Sequence, residues 1–127
     1  MEYSEVYEYL IEIAKNRCKV QSTELNLSDK VDRKKLHEQK IIVTYGDVLV
    51  KFGEIPNNRN ALNKLFEIID QINEKTNPIL LSALIVEGKQ LKPGKGFFQT
   101  WLPKTKYEDK LSTWIKELDK IWQQYCK

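Results

Sequence analysis

The segment from Thr44 to Ile72 constrains the fold of this 127-residue chain more than any other part. Thr44 is a residue type that often caps a helix and Gly53 is one that often ends a helix, so a short helix is predicted between them. A turn over residues 54–56 follows. Five apolar residues then recur at helical spacing: Leu62, Leu65, Phe66, Ile69 and Ile72. A short capped helix, a tight turn and a longer second helix predict a helix-turn-helix.

The residues after this helix pair predict the remainder of a winged helix. Asn77-Pro78 ends the second helix, because proline cannot continue a helix and restricts the residue before it. The almost unbroken apolar run from Ile79 to Val86 predicts a strand that is buried on both faces. Glycines and a proline between Glu87 and Gly96 predict a lysine-rich hairpin, and Phe97-Phe98 predicts the start of its returning strand.

Amphipathic helices are predicted on both sides of this core. The first has apolar residues at three- and four-residue spacing from Tyr3 to Ala14. The stretch Ser28-Asp29-Lys30-Val31-Asp32 could cap a short helix reaching about Gln39. The closing segment has the most regular apolar stripe of the chain. We therefore predict an α+β, mostly helical fold in a single domain, 1–127. It comprises an N-terminal helical segment (1–40), a winged helix-turn-helix core (41–100) and a C-terminal helix (104–126).

The closing helix carries Trp114 and Trp122 on its apolar stripe. Two tryptophans on one face bury a large area when the helix packs against the opening helix and the core. If the stripe stays exposed instead, Trp114 and Trp122 are candidate partner-binding residues, because large exposed apolar patches mark interaction surfaces.

Polar and basic residues cluster where the second helix of the helix-turn-helix begins. In this motif the early residues of the second helix reach base edges, where arginine pairs with guanine and asparagine with adenine. The candidate DNA-binding residues of this helix are Asn57, Asn58, Arg59, Asn60, Asn63 and Lys64. Asparagines before a helix are also typical of capping and turns. Acidic residues on the later turns (Glu67, Asp70, Glu74) would repel phosphate.

The chain has a net charge of only +3, so the position of the positive charge matters more than its amount. Four lysines and no acidic residue lie between Lys89 and Lys104. Lys89, Lys92 and Lys95 would supply phosphate contacts that weaken as salt rises. Alternatively, they belong to an ordinary solvated loop.

Three short runs resemble a known family: Val43 to Val48 (Val-Thr-Tyr-Gly-Asp-Val) with Gly53, Arg59-Asn60-Ala61-Leu62, and Asn77-Pro78-Ile79-Leu80-Leu81. Over residues 43–98 the chain resembles the C-terminal winged-helix, DNA-binding domain of O6-alkylguanine-DNA alkyltransferases and alkyltransferase-like proteins. The resemblance implies that Tyr45 contacts a backbone phosphate and that Arg59 holds the gap left by a base swung out of the stack. Where the family has Pro-Cys-His-Arg, this chain reads Ser82-Ala83-Leu84-Ile85, so alkyl transfer to a cysteine is not expected.

The remaining reactive residue types do not predict an enzyme. His37 lies in a lysine-rich polar stretch and is expected at the surface, and no cysteine, histidine and acid set has metal-ligand spacing. Cys18 and Cys126 are therefore predicted to be free thiols in a reducing compartment. No catalytic residue, metal or cofactor is predicted. The chain begins without a signal-peptide pattern and has no apolar run long enough to span a bilayer, which predicts a cytoplasmic protein without a membrane partner.

Two functions remain open on the sequence alone. The first is a non-enzymatic winged-helix protein that binds duplex DNA through the second helix and the lysine-rich wing. The second is a protein-protein interaction module, such as an adaptor, an immunity or inhibitor protein, a complex subunit or a self-associating protein. A winged helix can carry either function, because a fold alone does not fix one.

Overall fold

The computed structural model describes residues 1–20 and 27–126 and has six α-helices in that range. Residues 21–26 of the N-terminal segment and Lys127 of the predicted domain lie outside the described residues. The helices are α1 (Tyr3–Asn16), α2 (Lys30–Glu38), α3 (Tyr45–Lys51), α4 (Arg59–Thr76), α5 (Lys95–Trp101) and α6 (Lys110–Tyr125). Two short strands, β1 (Val43–Thr44) and β2 (Ile85–Val86), complete the regular structure together with 3-10 turns at Arg17–Lys19, Leu81–Leu84 and Tyr107–Asp109. The predicted mostly helical α+β class is confirmed.

The predicted helix starts are confirmed by their caps. Asp29 accepts a hydrogen bond from the Val31 N–H at the start of α2, and the Thr44 hydroxyl accepts one from the Asp47 N–H at the start of α3. The Asp47 carboxylate in turn accepts from the Thr44 N–H, so α3 begins with a complete capping box. After α3, Gly53 has a φ of 78°, the left-handed conformation that glycine adopts without a Cβ penalty.

The sheet differs from the predicted wing. β1 pairs with β2 in parallel, Val43 opposite Ile85 and Thr44 opposite Val86, whereas a wing is an antiparallel hairpin. Of the predicted strand from Ile79 to Val86, only Ile85–Val86 is extended. Leu81–Leu84 forms a 3-10 turn, and the segment from Leu80 to Val86 is buried, as the sequence predicted. A short apolar run buried on all sides does not distinguish a strand from a compact turn, because both leave no polar face.

The predicted hairpin and returning strand are wrong. Residues 87–92 form a compact loop in which the Glu87 N–H donates to the Lys92 carbonyl at 2.8 Å and the Leu91 N–H donates to the Glu87 carbonyl at 2.9 Å. Phe97 and Phe98 then lie in α5, both buried. The physical reason is that a short apolar pair such as Phe97-Phe98 does not distinguish a strand from a helix, since either can bury aromatic rings. A helix instead buries both phenylalanine rings while satisfying its own backbone.

The helices pack around the segment from Leu80 to Val86. α1, α4 and α6 all contact the 3-10 turn at Leu81–Leu84, and α1 also contacts α4 and α6. Trp114 of α6 is completely buried, and its Nε1 donates a hydrogen bond of 2.8 Å to the Ala83 carbonyl. The prediction that the closing helix packs on the opening helix and the core is therefore confirmed. Trp114 as an exposed partner-binding residue is wrong, because its ring fills the centre of the molecule.

Trp122 follows Trp114 by eight residues on α6 and is half-buried. The Arg17 guanidinium stands over its ring at 5.4 Å from the ring centroid. A cation over an indole face is an attractive contact. Much of the Trp122 side chain is thus occupied within the chain, and its role in a partner contact stays a prediction.

Cys18 and Cys126 form a disulfide in the structure, so the prediction of two free thiols is wrong. The bond joins the turn after α1 to the end of α6 across 108 residues of sequence. Sequence spacing gave no indication of it because two cysteines far apart in the chain meet only once α1 and α6 are packed side by side.

Among the described residues, no helix combines the length and the apolar character needed to cross a membrane.

We expect the Cys18–Cys126 bond to stabilise the fold substantially. A cross-link that closes a loop of 108 residues removes conformational entropy from the unfolded chain. In the chain-entropy description this corresponds to on the order of 4–5 kcal/mol. The double variant Cys18→Ser/Cys126→Ser should unfold at lower urea concentration than the oxidised protein. A reductant should lower the midpoint of the wild type and leave that of the double variant unchanged; equal midpoints for oxidised wild type and variant would contradict the bond.

Candidate nucleic-acid interface

The first turns of α4 present the predicted DNA-binding residues to solvent. Asn57, Asn58, Arg59, Asn60, Asn63 and Lys64 are all exposed. α4 is held from behind by its apolar side, where Leu65, Ile69 and Ile72 are buried. Residues four apart lie on one face of a helix, so Arg59 aligns with Asn63, and Asn60 with Lys64. The structure thus brings these six residues together on one rigid helix end.

The end of α4 is positioned by Asn58. Its side-chain oxygen accepts a hydrogen bond of 3.2 Å from the Ala61 N–H, and its carbonyl accepts one from the Leu62 N–H at 3.0 Å. Asn58 therefore has the capping role that is typical of asparagines before a helix. Because the amide oxygen already accepts a hydrogen bond within the chain, Asn58 is less suited than Asn60 or Asn63 to a two-point contact with adenine, which uses both amide atoms. Its amide nitrogen remains as a donor.

Arg59 and Lys64 form no side-chain hydrogen bond or ion pair with any residue in the described ranges. Their charges are therefore available to a ligand. The character of α4 changes along its length, since Glu67, Asp70 and Glu74 are also exposed. The positive part of α4 is thus limited to its first two turns, as the sequence predicted.

The three lysines predicted to lie on a wing, Lys89, Lys92 and Lys95, are not part of a β-hairpin. Lys89 and Lys92 belong to the loop after β2, and Lys95 is the first residue of α5. Lys92 borders a cleft of about 300 Å³ whose other lining residues come from the loop, α5 and the start of α6: Pro93, Phe98, Tyr107, Glu108, Lys110, Leu111 and Trp114. No residue of α4 lines that cleft. The structure therefore does not join Lys92 to the basic end of α4.

Arg33 of α2 fixes the position of this loop. Its side chain is 2% exposed, and it donates to the Gln90 carbonyl at 3.1 Å and to the Leu27 carbonyl at 3.0 Å. Burial lowers the pKa of the Arg33 guanidinium, while nearby Asp29 opposes that shift. A buried arginine with carbonyl partners ties residue 90 to α2. Sequence reasoning missed this role, because nothing in the sequence around Arg33 distinguishes it from the neighbouring lysines.

Tyr45, the candidate phosphate contact, is the first residue of α3 and is half-buried. Its ring meets the ring of Phe66 edge-on at a centroid distance of 5.2 Å. Burial raises the pKa of the Tyr45 hydroxyl to about 12, and the negative charges of Glu87 and Asp70 add to the shift. Two carboxylates close enough to act on this hydroxyl would repel a phosphate. The surroundings of Tyr45 therefore suit a neutral or cationic group better than an anion.

A histidine and an aspartate that the sequence did not connect form a pair between α2 and α3. His37 Nε2 lies 2.6 Å from Asp47 Oδ2, and the His37 side chain is 32% exposed, at the surface as the sequence predicted. Burial alone would raise the pKa of Asp47. Hydrogen bonds from the Thr44 N–H and from His37 outweigh that effect and hold the pKa below its ordinary value. The signal in the sequence was weak, because His37 and Asp47 meet only through the packing of two helices.

The pair borders the largest cleft described here, about 570 Å³, between α1, α2 and α3. Its lining is mixed, with Tyr9, Glu12, Lys40 and Lys51 among the polar residues. Within residues 1–20 and 27–126, no three histidine, cysteine, aspartate or glutamate side chains are grouped so as to hold a metal ion. We assign the His37–Asp47 pair a structural role, the attachment of α2 to the capped start of α3.

Comparisons of the chain with protein-family models, with curated proteins and with solved structures each return no match. The resemblance of residues 43–98 to the alkyltransferase DNA-binding domain stays a prediction.

The His37–Asp47 pair predicts a specific acid dependence of stability. A carboxyl whose pKa is lower in the folded state than its ordinary 3.8 stabilises the fold at pH above 3.8. That contribution disappears as pH falls through the lower, folded-state value. Urea unfolding of wild type and Asp47→Asn should therefore show a difference in unfolding free energy that shrinks at acid pH. The exposed Asp119→Asn serves as the control, and a difference between wild type and Asp47→Asn that is constant through acid pH would contradict the prediction.

Proposed function

We propose that this protein is a non-enzymatic binder of duplex DNA that contacts its target through the first two turns of α4. The observation that supports the proposal is the exposed pair Arg59 and Lys64, without side-chain partners among residues 1–20 and 27–126. The pair lies at the capped start of an 18-residue helix whose opposite side is buried in the core. A basic, preorganised helix start is suited to phosphate and base contacts, because its free N–H groups and positive dipole end favour negative charge.

The exposed side chains at the start of α4 form two rows, and each row has a different role in the proposed contact. Arg59 and Asn63 form the row that carries one guanidinium and one amide, the groups that recognise guanine and adenine edges. Asn60 and Lys64 form the neighbouring row, with Lys64 a phosphate contact. In the reading that the alkyltransferase resemblance supports, Arg59 would also hold the gap left by an extruded base.

The loop lysines contribute to DNA binding by charge rather than by base recognition in this proposal. Lys89, Lys92 and Lys95 are exposed in a stretch without acidic side chains. Contacts of this kind add affinity that does not depend on the DNA sequence and that decreases as salt rises. Lys92 borders the α5–α6 cleft, so its contribution is expected to be smaller than that of Lys64.

A protein-protein interaction is the second candidate function, and one observation favours it. Val50 and Ile55, near the end of α3 and in the following turn, are 58% and 68% exposed. Apolar side chains at the tip of a helix-turn-helix add nothing to phosphate binding, and a contact that buries them would be insensitive to salt. An assembly that persists at high salt and is lost in Ile55→Ser would support this second function in place of DNA binding.

A salt-dependent titration of a labelled duplex tests the DNA proposal. Lys64→Gln should weaken binding and reduce the slope of log affinity against log salt by about one, because one phosphate contact is lost. Arg59→Gln should weaken binding to every duplex and, if it reads a base, reduce the preference among sequences. Lys116→Gln, an exposed lysine on α6, is the matched control and should leave affinity and slope unchanged. Equal binding by wild type, Arg59→Gln and Lys64→Gln would refute the proposal.

A further inference from the structure

An aromatic pocket separate from the basic start of α4 has no role in the proposed DNA contact. It has a volume of about 250 Å³ and lies between α3, α4 and α5. Four aromatic side chains line it, together with one carboxylate, and we call it the aromatic pocket: Tyr45, Phe66, Phe97, Trp101 and Asp70. Ser82, Ile69, Gly96 and Thr100 complete the lining.

The pocket has walls that stand at an angle to one another. The rings of Tyr45 and Phe66 are 5.2 Å apart between centroids and inclined at 77°. Phe97 is 6% exposed and fixed in the core, whereas Phe66 is 39% exposed, so the pocket has a rigid side and an accessible side. Aromatic side chains that border a pocket can attract a cation placed against their faces.

The carboxylate of Asp70 is held in place at the pocket. Trp101 Nε1 donates a hydrogen bond to Asp70 Oδ1 at 3.3 Å. No lysine, arginine or histidine forms an ion pair with Asp70 in the described part of the chain. Glu87 adds negative charge from the side of the loop, since it acts together with Asp70 on the Tyr45 hydroxyl. The pocket therefore combines a fixed negative charge with aromatic faces.

The absence of a basic residue distinguishes this pocket from the other clefts described for the protein. The clefts at the α5–α6 junction, between α1, α2 and α3, beside the disulfide, and around Trp101 to Thr105 each include at least one lysine or arginine. The chain has 21 basic residues, so a cleft of this size without one is a local departure from the surface as a whole. The carboxylate of Asp70, which has no ion-pair partner among the described residues, favours a cationic ligand over an anionic one.

We propose that the aromatic pocket binds an alkylated ammonium group, with the rings of Tyr45, Phe66 and Trp101 around the cation and Asp70 as its counter-charge. Methylation spreads the positive charge over a large apolar surface. Removing water from such a group when it enters the pocket therefore costs little free energy. An ordinary ammonium group is smaller and more strongly hydrated, and it gains less from the same site. Two sources carry this chemistry: a small free quaternary ammonium compound and a methylated lysine in a peptide.

A titration with choline and its neutral carbon isostere, dimethylbutanol with the quaternary carbon in place of nitrogen, tests the charge requirement. The two molecules have nearly the same shape, so apolar burial alone gives them equal affinity. We expect choline to bind roughly tenfold more tightly, the effect of a partly desolvated cation on aromatic faces. Calorimetry measures the affinities. NMR cross-relaxation from the choline methyl protons to the rings of Phe66 and Trp101 locates the ligand.

Two variants and one control assign the effect to the pocket. Asp70→Asn keeps an oxygen for the Trp101 hydrogen bond and removes the charge, so the preference for choline over its isostere should fall severalfold. Phe66→Leu, at a partly exposed position, removes one ring and should weaken choline binding without unfolding the protein. Glu74→Gln changes an exposed acid further along α4 that does not line the pocket, and it should leave both affinities unchanged.

A peptide carrying trimethyllysine, compared with the same peptide carrying unmodified lysine, distinguishes the two sources. Preferred binding of the methylated peptide over choline assigns the pocket to a modified protein tail, and the reverse order assigns it to a free small molecule. Equal binding of choline and its isostere, or a preference that Asp70→Asn leaves intact, overturns the proposal. None of these titrations contains DNA, so their outcome is independent of whether Arg59 and Lys64 contact a duplex.

Discussion

The buried segment from Leu80 to Val86 exists as part of the core because its backbone polar groups find partners on three sides. The Ala83 carbonyl accepts from Trp114 Nε1 at 2.8 Å, and the Ser82 N–H donates to the Asn73 side chain at 3.3 Å. The remaining part pairs with β1. A buried peptide group without a partner costs about as much as a lost hydrogen bond, so these contacts decide where α4 and α6 lie.

The same constraint orients the candidate sites. α4 must direct Asn73 towards Ser82 and its apolar residues towards the core, and this fixes the rotation of the helix about its axis. Arg59 and Asn63 are then exposed at one end of α4. Phe66 and Asp70 continue the same face at spacings of three and four residues and meet Tyr45 and Trp101. One helix thus carries a basic end and an acidic, aromatic middle on a single face.

What the sequence predicts correctly in this protein is local. The helix starts at Asp29, Thr44 and Asn58 follow from side chains that bond to N–H groups within three residues, so a short window contains all the information. The features that were missed join distant residues. β2 pairs with a strand more than forty residues earlier, His37 meets Asp47 across two helices, and Cys18 meets Cys126 across the whole fold. Each depends on how elements pack, which no single segment specifies.

The aromatic pocket was also outside the reach of sequence reasoning. From the sequence, Asp70 is expected only to repel phosphate, because on an isolated helix it is an ordinary exposed acid. Its place in the pocket becomes visible when α5 places Trp101 against it and α3 places Tyr45 beside it. The predicted returning strand at Phe97-Phe98 obscured this, since a strand there would have removed the helix that forms one wall of the pocket.

Opposite charges on one helix face can bind two different ligands only if the charge at each site does not weaken binding at the other. Eleven residues separate Arg59 from Asp70, which corresponds to about 16 Å along a helix. At physiological salt, exposed charges are largely screened beyond about 8 Å. The carboxylate therefore opposes a phosphate at Arg59 only weakly, and it acts more strongly on a charged group placed next to it in the pocket, because the distance is short. The length of α4 is what would allow the proposed DNA contact and the proposed cation pocket to be parts of the same helix.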